Sequence, residues 1–194
     1  MGACGGGAAG EPATAENAPK VVPSYNRDTG RLERLTSDRN GDGRVDTWAY
    51  LDGRSVERIE LDRDGDGAVD RIEHYELPVS ADPQAPFGGA VIARAEESAG
   101  PDRPVTRRES YEGGVLRRVE EDVDGDGRVD KWEEHAGGAL VRMDLDLQKR
   151  GTPDRRLMYG PRGDVQRVEI DSDGDGVFEA APATTAPTTG SVGR

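Results

Sequence analysis

The chain has 194 residues, of which 39 are acidic and 26 basic, giving a formal net charge of −13 at pH 7. A single Cys excludes a disulfide framework, no apolar run is long enough to cross a membrane as a helix, and the acidic balance argues against a nucleic-acid surface. Leu, Ile, Val and Phe supply only 33 residues, below roughly a fifth of the chain, so a conventional two-layer core is not expected.

Residues 1–22 open with Met1-Gly2-Ala3-Cys4 and continue through GGGAAGEPATAENAP. Small residues before a lone Cys are what a lipoprotein signal peptidase selects, so Cys4 is the expected lipidation site and the rest a flexible tether. The expected localisation is extracytoplasmic, lipid-anchored at the bacterial envelope or cell surface.

From residue 23 to 179 one acidic loop recurs: DRNGDGRVD from Asp38, DRDGDGAVD from Asp62, DVDGDGRVD from Asp122 and DSDGDGVFE from Asp171. Each copy sets carboxylate or amide oxygens at positions 1, 3, 5 and 9 with Gly at position 6, the way a flexible chain wraps hard oxygen ligands around Ca²⁺. The candidate ligands are Asp38, Asn40, Asp42 and Asp46; Asp62, Asp64, Asp66 and Asp70; Asp122, Asp124, Asp126 and Asp130; and Asp171, Asp173, Asp175 and Glu179. Main-chain carbonyls of Arg44, Ala68, Arg128 and Val177 would fill position 7. About four Ca²⁺ sites are expected.

Asp38 and Asp62 lie 24 residues apart, and the same period exposes two worn copies, SAGPDRPVT from Ser98 and DLQKRGTPD from Asp146. The extra length after the second loop falls at LPVSADPQAPFG, Leu77 to Gly88, which reads as an inserted surface loop. Six tandem units result. The segments between loops, such as VERIELD, LRRVEED and VQRVEID, alternate apolar and charged residues, and units join through Asp52-Gly53, Gly113-Gly114, Gly137-Gly138 and Arg162-Gly163. Each unit is therefore read as strand, loop, strand and tight turn.

Helices around the same loop, as in EF-hands and dockerins, would have only one or two turns before a Gly turn interrupts, which is marginal. The predicted fold is all-β: tandem hairpins of about 24 residues in an antiparallel meander of about twelve strands, with calcium loops at the hairpin ends. Glu73 and Glu133 occupy position 12 in two loops only, and on a strand they point away from position 9. Arg58 with Glu60, Arg118 with Glu120 and Arg167 with Glu169 are expected to form ion-pair ladders on a solvated face, with Val56 beside Arg58 and Glu60.

The nine-residue loops resemble the calcium-binding hairpin loops of integrin-type FG-GAP repeats, D-x-N-G-D-G-x-x-D, though the period is far shorter than a four-stranded blade. From about Ser24 to Glu179 the unit is similar to bacterial repeat lipoproteins built from "LVRVEEDxDGDGxxDxWEYY"-like segments. That resemblance implies calcium binding at a cell envelope and brings no activity with it.

Trp48 and Trp132 follow two residues after Asp46 and Asp130 and are expected to pack across strands. No nucleophile with a base, phosphate loop or zinc motif occurs, so no catalysis is expected. Residues 180–194, rich in Pro and Thr, read as a disordered tail. The expected function is a calcium-binding structural or adhesive surface protein, with a membrane met only through the anchor and a surface protein or glycan as partner. The alternatives are a dockerin-like or EF-hand-like helical partner-binding module and a carbohydrate-binding surface using the Trp residues.

Overall fold

The computed structural model describes residues 20–181 apart from 80, 83, 101 and 102; Cys4 and the tail beyond 181 lie outside the described residues. Thirteen antiparallel strands follow one another in a single sheet, in chain order from one end to the other. They are β1 (Lys20–Tyr25), β2 (Leu32–Asp38), β3 (Thr47–Asp52), β4 (Ser55–Leu61), β5 (Arg71–Glu76), β6 (Val91–Ser98), β7 (Val105–Glu112), β8 (Val115–Glu121), β9 (Lys131–Ala136), β10 (Ala139–Leu145), β11 (Arg155–Tyr159), β12 (Val165–Ile170) and β13 (Glu179–Ala180). No α-helix flanks any acidic loop among the described residues, so the helical module has no structural counterpart.

Because each strand reverses the last, connections alternate between two long sides of the sheet. One side carries six loops: loop 1 (38–46), loop 2 (62–70), loop 3 (98–106), loop 4 (122–130), loop 5 (146–154) and loop 6 (171–179). The other carries the turns. Gly113-Gly114 and Gly137-Gly138 both hold positive φ at the two central positions, as a two-residue type I′ hairpin requires. Two turns differ from expectation. The β3–β4 turn is centred on Gly53-Arg54, since Asp52 pairs with Ser55. The β11–β12 connection is a five-residue loop closed by the Gly160 N–H on the Asp164 carbonyl at 2.9 Å, because Tyr159 pairs with Val165. The insertion joins β5 to β6 and ends in a tight turn over Pro86–Gly89, in which Phe87, Gly88 and Gly89 hold positive φ.

Each turn-side pairing also contains a register shift, for example between Tyr50 and Leu51, where Tyr50 faces Arg58 and Leu51 faces Val56. Glu57 is the extra residue of a β-bulge. This overturns one expectation: the bulge carries Val56 to the face opposite Arg58 and Glu60, where it is buried at 2% exposure.

Each strand packs chiefly on its neighbours in sequence, so the sheet is a single layer. The buried apolar set among the described residues is small, Ala49, Val56, Ala90, Ala95 and Val119. Cross-strand registers define two faces. On the first, Ala49, Ile59, Glu73, Ala95, Glu109, Val119 and Glu133 share a rung. On the second, Trp48, Glu60, Ile72, Glu96, Arg108, Glu120 and Trp132 share the equivalent rung.

Polar side chains fill the middle of the first face where a core would stand. Arg71-x-Glu73-x-Tyr75, Arg107-x-Glu109-x-Tyr111 and Lys131-x-Glu133-x-His135 repeat a cation, an acid and a ring on alternate residues of β5, β7 and β9. In each, the cation and the ring both meet the central acid, as with Arg107 Nε at 2.9 Å and the Tyr111 hydroxyl at 2.7 Å from Glu109. Ala95, being small, lets Arg71 reach across β6 to Glu109 at 2.7 Å while it also holds Glu73 at 2.8 Å and Glu97 at 2.6 Å. The Arg71 side chain is only 7% exposed and its three acids satisfy it. Glu73 and Glu133, at position 12 of their loops, are thus engaged within this ladder. On the second face Arg58–Glu60 at 3.0 Å and Arg167 with Glu169 form as the sequence predicts, Arg118 pairs with Glu134 at 3.9 Å in place of Glu120, and Arg142 and Arg156 continue the ladder to Glu134 at 2.7 Å and to the buried Asp144 at 2.8 Å.

Candidate metal-binding loops

The intact loops fold by one scheme in which carboxylates replace the missing ladder partners of a wide turn. The position 1 carboxylate accepts the N–H of positions 4 and 6 through its two oxygens, as Asp62 does from Gly65 at 2.8 Å and Gly67 at 2.9 Å. Asp38, Asp122 and Asp171 repeat the pair. Positions 3 and 5 each accept the N–H two residues on, tight Asx turns such as Asp66 N–H to Asp64 and Ala68 N–H to Asp66. Arg44, Arg128 and Val177 are held at position 7 in the same way. Position 9 reaches back: Asp46 takes the N–H of Arg39 at 2.8 Å and of Asn40 at 3.1 Å, and Asp70 and Asp130 take the N–H of Arg63 and Val123.

These bonds leave carboxylate oxygens turned inward. Oxygens of Asp62, Asp64 and Asp66 lie within 4.8 Å of one another, as do those of Asp122, Asp124 and Asp130, and of Asp171, Asp173 and Asp175. Three of the four predicted ligand sets therefore contain a carboxylate triplet able to hold a metal ion. Asp70, Asp126 and Glu179 stand outside the triplet of their own loop. Loop 1 gathers no such triplet; there the Asn40 amide nitrogen donates to Asp42 at 3.2 Å. Hard oxygen donors without His or Cys suit Ca²⁺ over softer ions, and the three triplets are compatible with that ion.

The electrostatics favour the ionised form at Asp171, Asp46 and Asp124. Burial alone would raise Asp171, but hydrogen bonds from Gly174 and Gly176 and the nearby Arg150 hold its carboxyl below the usual range. Burial is likewise overcome at Asp46 by Thr47, Arg39 and Asn40. Asp124 is lowered by Lys149, which pairs with its Oδ2 from loop 5.

The six loops are joined by a feature that no residue pattern signals. The position 1 N–H of each loop donates to the position 9 carbonyl of the loop before: Asp62 to Asp46, Ser98 to Asp70, Asp122 to Thr106, Asp146 to Asp130 and Asp171 to Asp154, at 2.7–2.9 Å. The worn loops keep this spine. Loop 5 keeps part of the internal scheme: Asp146 accepts the N–H of Gly151 at position 6 but that of Arg150 at position 5 in place of position 4, and Asp154, 1% exposed, accepts Gln148.

A cleft of about 820 Å³ opens beside loops 1 and 2 on the first face, lined by Ser37, Thr47, Ile59, Leu61 and Glu73 with Asn40 and Arg63. Trp48 lies on the second face, and six strand spacings separate it from Trp132, about 29 Å at ~4.8 Å each. The cleft and the Trp residues therefore do not combine into one glycan platform. No protein-family model and no curated protein matches the chain.

Proposed function

We infer that this protein is a calcium-binding structural or adhesive repeat protein of a bacterial envelope or cell surface, without catalytic activity. The observation that carries the reading is the convergence of carboxylate oxygens in three loops, on one side of a single sheet, from residues at positions 1, 3, 5 and 9. Four ions, in loops 1, 2, 4 and 6, would add eight positive charges to a chain of net charge −13. Loop affinities in the weak extracellular range, with Kd of ~0.1 mM, would be filled by ~1 mM calcium, and each site then adds about 1.4 kcal/mol. Such affinities match the extracytoplasmic placement suggested by Cys4, and a lipid-linked Cys would tether the sheet through the preceding segment. The sheet offers its side of loops to a surface protein or glycan, and its acidity disfavours nucleic acid.

The test is isothermal calorimetry on chelator-treated protein. About four sites and a thermal midpoint raised by roughly 10 to 20 °C at saturation support the reading. No heat up to ~10 mM calcium, beyond the weak extracellular range, overturns it. Incorporation of labelled fatty acid, lost on Cys4→Ser, tests the anchor.

A further inference from the structure

Loop 5 keeps the left-handed positions of a metal loop and cancels its negative charge, setting Lys149 and Arg150 against Asp146 and Asp154. Its position 4 is Lys149, which holds φ 55° where Gly41, Gly65, Gly125 and Gly174 hold 76° to 81°. An L residue in this left-handed conformation is disfavoured, so Lys149 is retained there against the backbone preference. Its ammonium reaches the neighbouring loop and pairs with Oδ2 of Asp124, one of the three carboxylates that converge in loop 4. Position 5, an acid in every intact loop, is Arg150, whose guanidinium donates to the Asp171 carbonyl of loop 6 at 3.0 Å. A cation thus projects from loop 5 to each of its two neighbours.

We propose that loop 5 is a built-in cation donor and that Lys149 competes with calcium for Asp124, making loop 4 a weaker site than loop 2. The proposal rests on the calcium reading and specifies its regulation. A divalent ion that enters loop 4 must draw Asp124 away from Lys149, while loops 1 and 2 meet no such competitor among the described residues. A solvent-exposed ion pair of this kind is worth up to about a factor of five. Calcium should therefore fill loop 2 first and loop 4 at several-fold higher concentration.

Trp132 stands two residues beyond Asp130, and Trp48 two residues beyond Asp46, so each Trp reports on one loop. In a Trp48→Phe background, calcium titration followed by Trp132 emission reads loop 4, while calorimetry reads all sites together. Lys149→Gln is expected to tighten the Trp132-reported site about five-fold, and Lys149→Arg, which keeps the charge, to leave it near the parent value. An unchanged or weaker site in Lys149→Gln, with calorimetric binding intact, overturns the competition and leaves the calcium reading standing. Absence of calorimetric binding in the parent overturns both.

Discussion

The backbone N–H of Asp62 donates to the carbonyl of Asp46 at 2.9 Å, so the first residue of loop 2 hangs from the last residue of loop 1. Loops 1 and 2 are the one pair of intact loops that are immediate neighbours in the spine. Ordering one should therefore ease ordering of the other. Asp38→Ala, which frees the Gly41 and Gly43 amides of loop 1, is expected to weaken calcium binding at loop 2 about five-fold, close to 1 kcal/mol of coupling. Calorimetry on the variant, compared with Asp173→Ala in the distant loop 6, measures the difference.

Position 1 and position 3 should separate folding from ion binding. Asp62 is buried and closes two backbone amides, so Asp62→Ala is expected to cost about 2 kcal/mol in calcium-free urea unfolding. Asp64 is exposed and closes one amide at 3.1 Å, so Asp64→Ala should cost about 0.5 kcal/mol or less. Both variants should lose one calcium site.

Removing Arg71 leaves Glu73, Glu97 and Glu109 without their common partner on a face where Arg71 and Glu109 are buried. Arg71→Ala is expected to destabilise the sheet by about 3 kcal/mol. Calcium affinity at loops 1 and 6 should be unchanged, since the ladder does not touch them. Thermal unfolding and calorimetry on the same sample test both statements.

Acid stability should report on Glu109. Burial alone would raise its carboxyl, but hydrogen bonds from Arg71, Tyr111 and Arg107 more than offset that and hold it at about 2, against an ordinary value of 4.5. A folded value below the unfolded one contributes stability that is present above pH 4.5 and disappears as pH falls towards 2. The urea midpoint in chelator should fall through this window, and Glu109→Gln should flatten that slope while lowering the midpoint at pH 7.

The strand order and the loop-side chemistry are legible in the sequence because both depend on local signals. Asp and Gly at fixed offsets specify Asx turns and left-handed positions, and a 24-residue period leaves room for one hairpin. What is not legible depends on register. Glu57 reads as an ordinary strand residue, yet as a bulge it sends Val56 to the other face. The Arg71 ladder is written in RIEHY, RRESY and KWEEH, and aligning the outgoing strands exposes its cation, acid and ring spacing. Its span from β5 to β7 is not written anywhere, because it depends on Ala95 being small on the strand between. The pairing of Lys149 with Asp124 is hidden for a similar reason: residues 25 apart meet only because successive loops stack along one side.

That stacking also makes the loop side a graduated scale. Successive loops are two strands apart, about 10 Å, so loops 1 and 2 are separated by one division and loops 2, 4 and 6 by two divisions each, about 20 Å. Divisions of unequal width read differently from the two ends. A rigid partner bridging loop 1 and at least two of the others can seat in one direction only, and the erosion of loops 3 and 5 thereby gives a repetitive molecule a front and a back.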